Sequence, residues 1–212
     1  MNGILFTMEQ YIQTIKQWLG AGSINIFGLP FAGKDTQGRV LADQLHGVLL
    51  SGGDILRHNE NNPELQRIMA AGEIIPSSLW EQLVVPVFSN PAYSQHPLIL
   101  SEVGRLQGEQ LIVERATLAA GHEQKAVILL MLEDAEIWNR FSAAMQEHDR
   151  GDRADDRREV LQTRLDSYHE KVMPVIEYYR SKDMLIEVDG ALSKQAVTDK
   201  IIARLAQKAV SN

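Results

Sequence analysis

The 212-residue sequence contains no cysteine. That excludes disulfides, thiolate nucleophiles and cysteine metal sites together, and it fits a reducing compartment, so a cytoplasmic location is expected. Long apolar runs are missing too. None approaches the roughly 20 residues needed to cross a bilayer, and residues 1–22 lack a basic segment followed by an apolar one, so neither a membrane partner nor a signal peptide is expected. Positive charge is outnumbered: 21 Lys and Arg stand against 28 Asp and Glu, a net charge of −7. With no broad basic face, the chain is not expected to bind nucleic acid. The six histidines show no metal-ligand spacing and are expected at the surface or at helix ends. The remaining composition, 44% hydrophobic and 23% charged, is ordinary for a globular chain whose length suits one α/β domain with small inserted lobes.

One stretch organises the rest. Residues 24–37 read I-N-I-F-G-L-P-F-A-G-K-D-T-Q: a short apolar run, a loop bounded by Gly28 and Gly33, Lys34, and a helical pattern from Thr36. Strand, glycine-bounded loop and helix form a phosphate cradle, in which backbone N–H groups, a helix N-terminus and a lysine all face an anion. The spacing fits G-x-x-x-x-G-K, but Asp35 stands where the full motif carries a Ser or Thr hydroxyl for magnesium.

Hydrophobic periodicity sets out the other elements. Helices are expected over 8–19, 36–45, from Asp54 through Arg57, 63–71, 77–88, 106–120, 135–146, 157–180 (with Pro174 bending it) and 193–208. Short buried strands are expected at 24–27, 48–50, 98–100, 126–132 and 184–188. Strands alternating with helices imply a five-stranded parallel sheet covered on both faces. Ligands in such sheets sit beyond the carboxyl ends of the strands. The phosphate loop, Asp54, the 101–105 exit and the Asp189–Gly190 turn all fall there. Several arginines occur near these segments, and their planar forks suit bidentate phosphate binding: Arg57, Arg105, Arg140, Arg150, Arg153 and Arg164.

Here the sequence resembles the adenylate kinase family of nucleoside monophosphate kinases over about 23–207. G-L-P-F-A-G-K-D-T-Q is similar to its G-x-P-G-x-G-K-G-T-Q, S-G-G-D-I-L-R to S-T-G-D-x-L-R, and A-A-G-E-I-I-P to x-x-G-x-x-V-P. R-A-D-D followed by R-L-D-S-Y is similar to R-x-D-D…R-L-x-x-Y, and V-D-G at 188–190 recurs. The resemblance implies a P-loop three-layer α/β sandwich. Its core would be 1–50, 89–146 and 157–212, with an acceptor-binding lobe at about 51–88 and a short lid at about 147–156. It implies phosphoryl transfer from ATP, with magnesium, to a nucleoside monophosphate by a monomer. Longer lids in the family carry zinc sites; this one has neither the length nor the cysteines, so no zinc is expected.

Carried over residue by residue, ATP would meet Gly28, Pro30, Phe31, Ala32, Gly33, Lys34, Asp35, Thr36, Arg140, Arg150 and Gly190. The acceptor would meet Ser51, Gly52, Arg57, Ile75, Arg105, Glu109, Arg153 and Arg164. Lys34, Arg105, Arg153 and Arg164 would carry the catalysis, with Asp155 and Asp156 orienting the arginines. Several positions depart from the pattern. Phe31 and Asp35 replace loop glycines, Gly52 replaces a threonine, and the family's D-G-F-P-R is S-E-V-G-R here, with Ser101 in place of the aspartate. Asp35 or Glu102 could supply the magnesium carboxylate, although Glu102, as the neighbouring strand residue, should point away. Glu109 stands where the family's adenine-reading glutamine stands. A carboxylate offers only acceptors and suits guanine better; alternatively Glu109 faces solvent and Gln107 or Gln110 reads the base. AMP is the favoured acceptor, with GMP or a pyrimidine monophosphate as one alternative and a nucleotide-binding module of impaired catalysis as another.

Overall fold

The computed structural model describes residues 7–58, 61–71, 73–147 and 157–211, the side chain of Glu147 excepted. The chain opens with α1 (Met8–Leu19), begun by a capping box between Thr7 and Gln10 and burying Ile15 and Leu19. Then β1 (Ser23–Gly28) enters the centre of a sheet, buried at every position. It is followed by α2 (Lys34–Leu45), β2 (Val48–Ser51), α3 (Gly52–Arg57), α4 (Pro63–Ala71), α5 (Ser77–Phe88) and β3 (Leu98–Ser101). The second half runs α6 (Glu109–Ala119), β4 (Gln124–Met131), α7 (Asp134–Glu147), α8 (Arg158–Ser167), α9 (Met173–Ser181), β5 (Leu185–Asp189) and α10 (Lys194–Ser211).

The sheet order is β2-β3-β1-β4-β5, and every pairing is parallel. The chain moves outward from β1 to β2, returns through β3, and then crosses β1 to build β4 and β5. The reversal opens a crevice at the carboxyl end of β1, between the exits of β3 and β4, where α/β sheets bind ligands. Helices cover both faces. On one, α1, α2 and α10 pack together over Ile24 and Ile26, while Phe27, pointing the opposite way, meets Tyr179 of α9. On the other, Leu56, Leu65, Trp80, Val84 and Phe88 pack with β3 and Val113 of α6. The 52–88 segment therefore shares a core with the sheet.

Two expected helices start or break elsewhere. Glu102, Gly104 and Gly108 have φ of 53°, 75° and 98°, so no right-handed helix can form before Glu109, and 102–108 is a loop rather than the first turn of a helix from Leu106. The helix expected over 157–180 is interrupted by a π-helical turn, Tyr168–Val172. Pro174 follows at the start of α9. It lacks an N–H and its ring crowds the carbonyl one turn back, and the widened turn accommodates both defects.

Buried polar side chains tie loops and helices to the sheet. Asn25 of β1, fully buried, donates from Nδ2 to Val103 O at 2.7 Å and accepts at Oδ1 from Val103 N at 3.4 Å, fixing the loop that leaves β3. His122 is buried rather than superficial, with Nδ1 2.6 Å from Ala21 O. The hydroxyl of Thr198 on α10 donates to Gln37 Oε1 of α2 at 2.8 Å, so Gln37 faces the core while Thr36 faces the crevice.

Candidate active site

Each loop glycine has its own reason. A Cβ on Gly28 would sit 2.9 Å from Leu130 O and 3.2 Å from the Ala32 methyl, so close packing against β4 excludes a side chain. Gly33 has open space around it but a φ of 92°, so its requirement is conformational. Phe31 takes φ 61° without being glycine, at a cost of about 1–2 kcal/mol. Its ring meets Phe141 edge-on at 5.5 Å, and Phe141 meets Trp138 at 5.9 Å, contacts that offset the cost. Helix α2 begins at Lys34 with no side-chain cap, which leaves its first-turn N–H groups directed at the loop.

Lys34 is 10% exposed. Its Nζ donates to Gly28 O at 2.8 Å and Leu29 O at 3.0 Å, and lies 3.2 Å from Glu102 Oε2. Burial pushes its pKa below the usual lysine value; Glu102 pulls the other way, and the nearby Arg164 adds to the lowering. Glu102 reaches Lys34 because its left-handed backbone ends the strand alternation, so the side chain turns into the site rather than away from it. The Ser101 hydroxyl donates to Asp35 Oδ1 at 2.6 Å. A Cβ on Gly52 already lies 3.0 Å from Glu102 O, so the turn at Glu102 leaves little room for a threonine at 52.

Lys34 lines one end of a cleft of about 630 Å³, together with Pro30, Phe31, Gly33, Asp35 and Thr36. Ser51 accepts from Asp54 N at 3.4 Å and caps α3, which carries Arg57 into the cleft beside the Asp54 carboxylate. Arg105 enters from the β3 exit and Arg164 from α8. The far end is apolar, formed by Leu56, Met69, Ile75 and Trp80. Glu109 sits among them, 2% exposed. Its Oε2 accepts from Leu106 N at 3.1 Å and its Oε1 from Ser77 Oγ at 3.3 Å. Burial pushes its pKa up, against the pull of those donors and Arg105. Arg140 borders the cleft near the loop. It donates to Gly190 O at 2.7 Å and Ala32 O at 3.5 Å, held by Glu136 Oε1 at 3.1 Å.

The sequence matches the family model "Adenylate kinase" over residues 26–184. It is 33% identical to an adenylate kinase of a Nocardioides species over 85% of this chain and 95% of the relative, and 32% identical to one of Parvibaculum lavamentivorans over 83% and 88%. One of Micrococcus luteus is 30% identical over 84% of this chain and 87% of its own. The chain belongs to the adenylate kinase family.

The adenylate kinase fold brings nearly all of the expected residues to one place. Gly28, Ala32 and Gly190 lie behind the lining: Gly28 packs on β4, while the Ala32 and Gly190 carbonyls receive Arg140. Arg150, Arg153, Asp155, Asp156 and the rest of 148–156 lie outside the described residues. The solvent-facing alternative for Glu109 is overturned by its burial. Gln110 is also buried, with Oε1 accepting from Gly108 N at 2.7 Å. Sequence reading missed Trp80, Met69, Ser77 and Arg39, all but Ser77 lining the cleft. Trp80 and Met69 read as core on helical patterns. Arg39 had a signal: four residues after Asp35, it shares that face of α2.

Proposed function

We propose that the protein transfers a phosphoryl group from ATP to AMP, giving two ADP. The observation that carries this reading is the cleft. A phosphate loop with Lys34, an apolar pocket with Glu109, and Arg57, Arg105 and Arg164 all line the same cleft. Two nucleotides joined through their phosphates need that distribution of charge. The adenylate kinase relatives favour this acceptor over GMP or a pyrimidine monophosphate.

The chemistry asks little covalent help of the protein; it needs donor and acceptor in line and the spreading charge neutralised. Lys34 and the α2 N-terminus hold the donor phosphates. Arg140, fixed by Glu136 and the Gly190 carbonyl, lies along the donor base. Arg57 and Arg105 hold the acceptor phosphate. Arg164, together with Arg153 and Arg150 of the proposed lid, clamps the group in flight. The family resemblance puts the acceptor-binding lobe at 51–88 and a lid at 147–156, and a lid there would exclude water and guard against hydrolysis.

Magnesium fits the residues present. It prefers one or two carboxylates plus substrate phosphates to an all-protein cage. Hard oxygen donors stand at the loop in Asp35 and Ser101, with Glu102 beside them paired to Lys34, and no group of three or more His, Cys, Asp or Glu suited to a metal occurs among the described residues. Bound with ATP, magnesium would neutralise charge on the donor phosphates. Lack of cysteine supports a cytoplasmic location, and the family resemblance supports a monomer; no described helix is long and apolar enough to cross a membrane.

The test is a coupled assay with ATP and magnesium, offering AMP, GMP, UMP, CMP and dTMP separately. ADP production with AMP is the expected result. Nucleotide binding without turnover of any acceptor would replace this reading with a binding module.

A further inference from the structure

In a phosphate loop of the form G-x-x-x-x-G-K-[ST], the residue after the lysine presents a hydroxyl to magnesium, and an aspartate elsewhere in the site holds the same ion. In this chain the residue after Lys34 is a carboxylate, Asp35, and the residue that ends β3, paired with β1 at Ile26, is a hydroxyl, Ser101. The two are 66 residues apart in sequence, yet Ser101 Oγ donates to Asp35 Oδ1 at 2.6 Å. Ser101 is 3% exposed, so its hydroxyl is fixed in the rim. The family pattern has a glycine at 35 and an aspartate at 101, and Thr36 keeps the loop hydroxyl on the cleft; here the carboxylate stands on the loop helix and touches a hydroxyl on β3. Glu102 does not fill the carboxylate's place, because Lys34 holds it.

We propose that the carboxylate of this site has moved from β3 to the loop: Asp35, on the loop helix, supplies the carboxylate that faces the divalent cation of the bound nucleotide, and Ser101, on β3, orients it. This rests on the phosphoryl-transfer reading above. A carboxylate on the loop beside phosphates is repelled by their like charge. A cation between them converts that repulsion into two attractions, and the Ser101 hydrogen bond holds the carboxylate in place for it. An acidic residue that merely complemented the α2 dipole would have no need of a buried serine.

The experiment measures binding of Mn²⁺, followed by electron paramagnetic resonance, to the full chain saturated with the β,γ-methylene analogue of ATP. Asp35→Ser, which removes the carboxylate that Ser101 holds, is expected to weaken Mn²⁺ binding about tenfold or more. The reciprocal variant Asp35→Ser/Ser101→Asp is expected to return to within about twofold of the parent, because the same two groups are again in contact. Ser101→Ala, the mildest change, is expected to weaken binding by less than Asp35→Ser does, and it carries the test should the reciprocal variant not fold. Parent-like Mn²⁺ affinity in Asp35→Ser or in Ser101→Ala, or a folded reciprocal variant as weak as Asp35→Ser, overturns the pairing. In a parent that turns over AMP, that result leaves the phosphoryl-transfer reading standing; absence of turnover in the parent overturns the reading itself.

Discussion

Glu109 offers the sharpest test of how this enzyme reads its acceptor. Adenine presents an acceptor at N1 and a donor at N6, a pattern matched by a glutamine amide and by a protonated carboxylic acid, but not by a carboxylate. Glu109 is 2% exposed, and burial raises its pKa. The acid form therefore persists to higher pH than in an exposed glutamate, and in that form Glu109 reads adenine as glutamine does. When it ionises, adenine N1 loses its donor. An acceptor buried without a partner is unfavourable by about 1–3 kcal/mol, so kcat/KM for AMP should fall about 5- to 150-fold as pH rises through the Glu109 pKa. GMP, which presents two donors at the same edge, should gain. The ratio of AMP to GMP turnover is the proper readout, because both substrates carry the same titrating phosphate.

Glu109→Gln fits the surroundings. Its oxygen takes the Leu106 N–H, and its amide nitrogen donates to Ser77 Oγ, which accepts as readily as it donates. The expected result is a parent ratio that declines as pH rises through the raised Glu109 pKa and a variant ratio that stays flat and high. Glu73 lines the cleft but is half exposed and lies 3.5 Å from Arg67, so Glu73→Gln is the control. Stability follows the same sign. With its pKa raised on folding, Glu109 binds more protons in the native than in the unfolded chain, so stability declines as pH rises above the ordinary glutamate value and through the folded one. Glu109→Gln removes that decline. A parent ratio independent of pH, or one that changes identically in Glu109→Gln, would refute the reasoning.

Three further outcomes are expected. Lys34→Met should lower kcat by about 10²–10³ through loss of a charge aimed at the donor phosphates. Because the folded pKa of Lys34 is depressed, the parent gains stability from this group as pH rises from that value towards the ordinary lysine value, and thermal melts from pH 7 to 10 should show the gain missing from the variant. Asn25→Leu leaves the Val103 N–H and carbonyl without their buried partner; urea unfolding should show a loss of about 1–3 kcal/mol per orphaned group, with a higher KM for AMP because Arg105 follows on the same loop. Arg140→Ala should raise KM for ATP and leave KM for AMP near the parent value, since its contacts are with Ala32 and Gly190 at the donor end; equal changes in both would place Arg140 elsewhere in the reaction.

The elements whose signal is periodic were legible. The apolar run of β4 and the stripes of α1 and α10 sit where their spacing predicts, because core burial demands that pattern. What depended on single backbone angles was not. Nothing in the sequence announces that Glu102 takes φ 53°, yet that one residue turns a carboxylate onto Lys34 and brings its own carbonyl against Gly52. Asn25 reads as one polar residue in a buried strand, and only the fold shows it bracing Val103. Glu109 looked equally able to face water or the base until the loop before it placed it at a helix start within the apolar pocket.

The departures from the family pattern also change meaning once they are in space. In sequence, Asp35, Gly52, Ser101 and Glu102 are scattered losses, each a reason to expect a nucleotide binder with damaged chemistry. In the structure they are one patch. Ser101 holds Asp35, Glu102 holds Lys34, and the backbone turn that aims Glu102 crowds the position of Gly52. Independent damage has no reason to fall on side chains that satisfy one another. A set of substitutions that keeps the lysine buried and paired, keeps one carboxylate and one hydroxyl at the loop, and keeps Arg57, Arg105 and Arg164 on the cleft is a rearrangement of a working site, and the binding-module alternative loses the observation that motivated it.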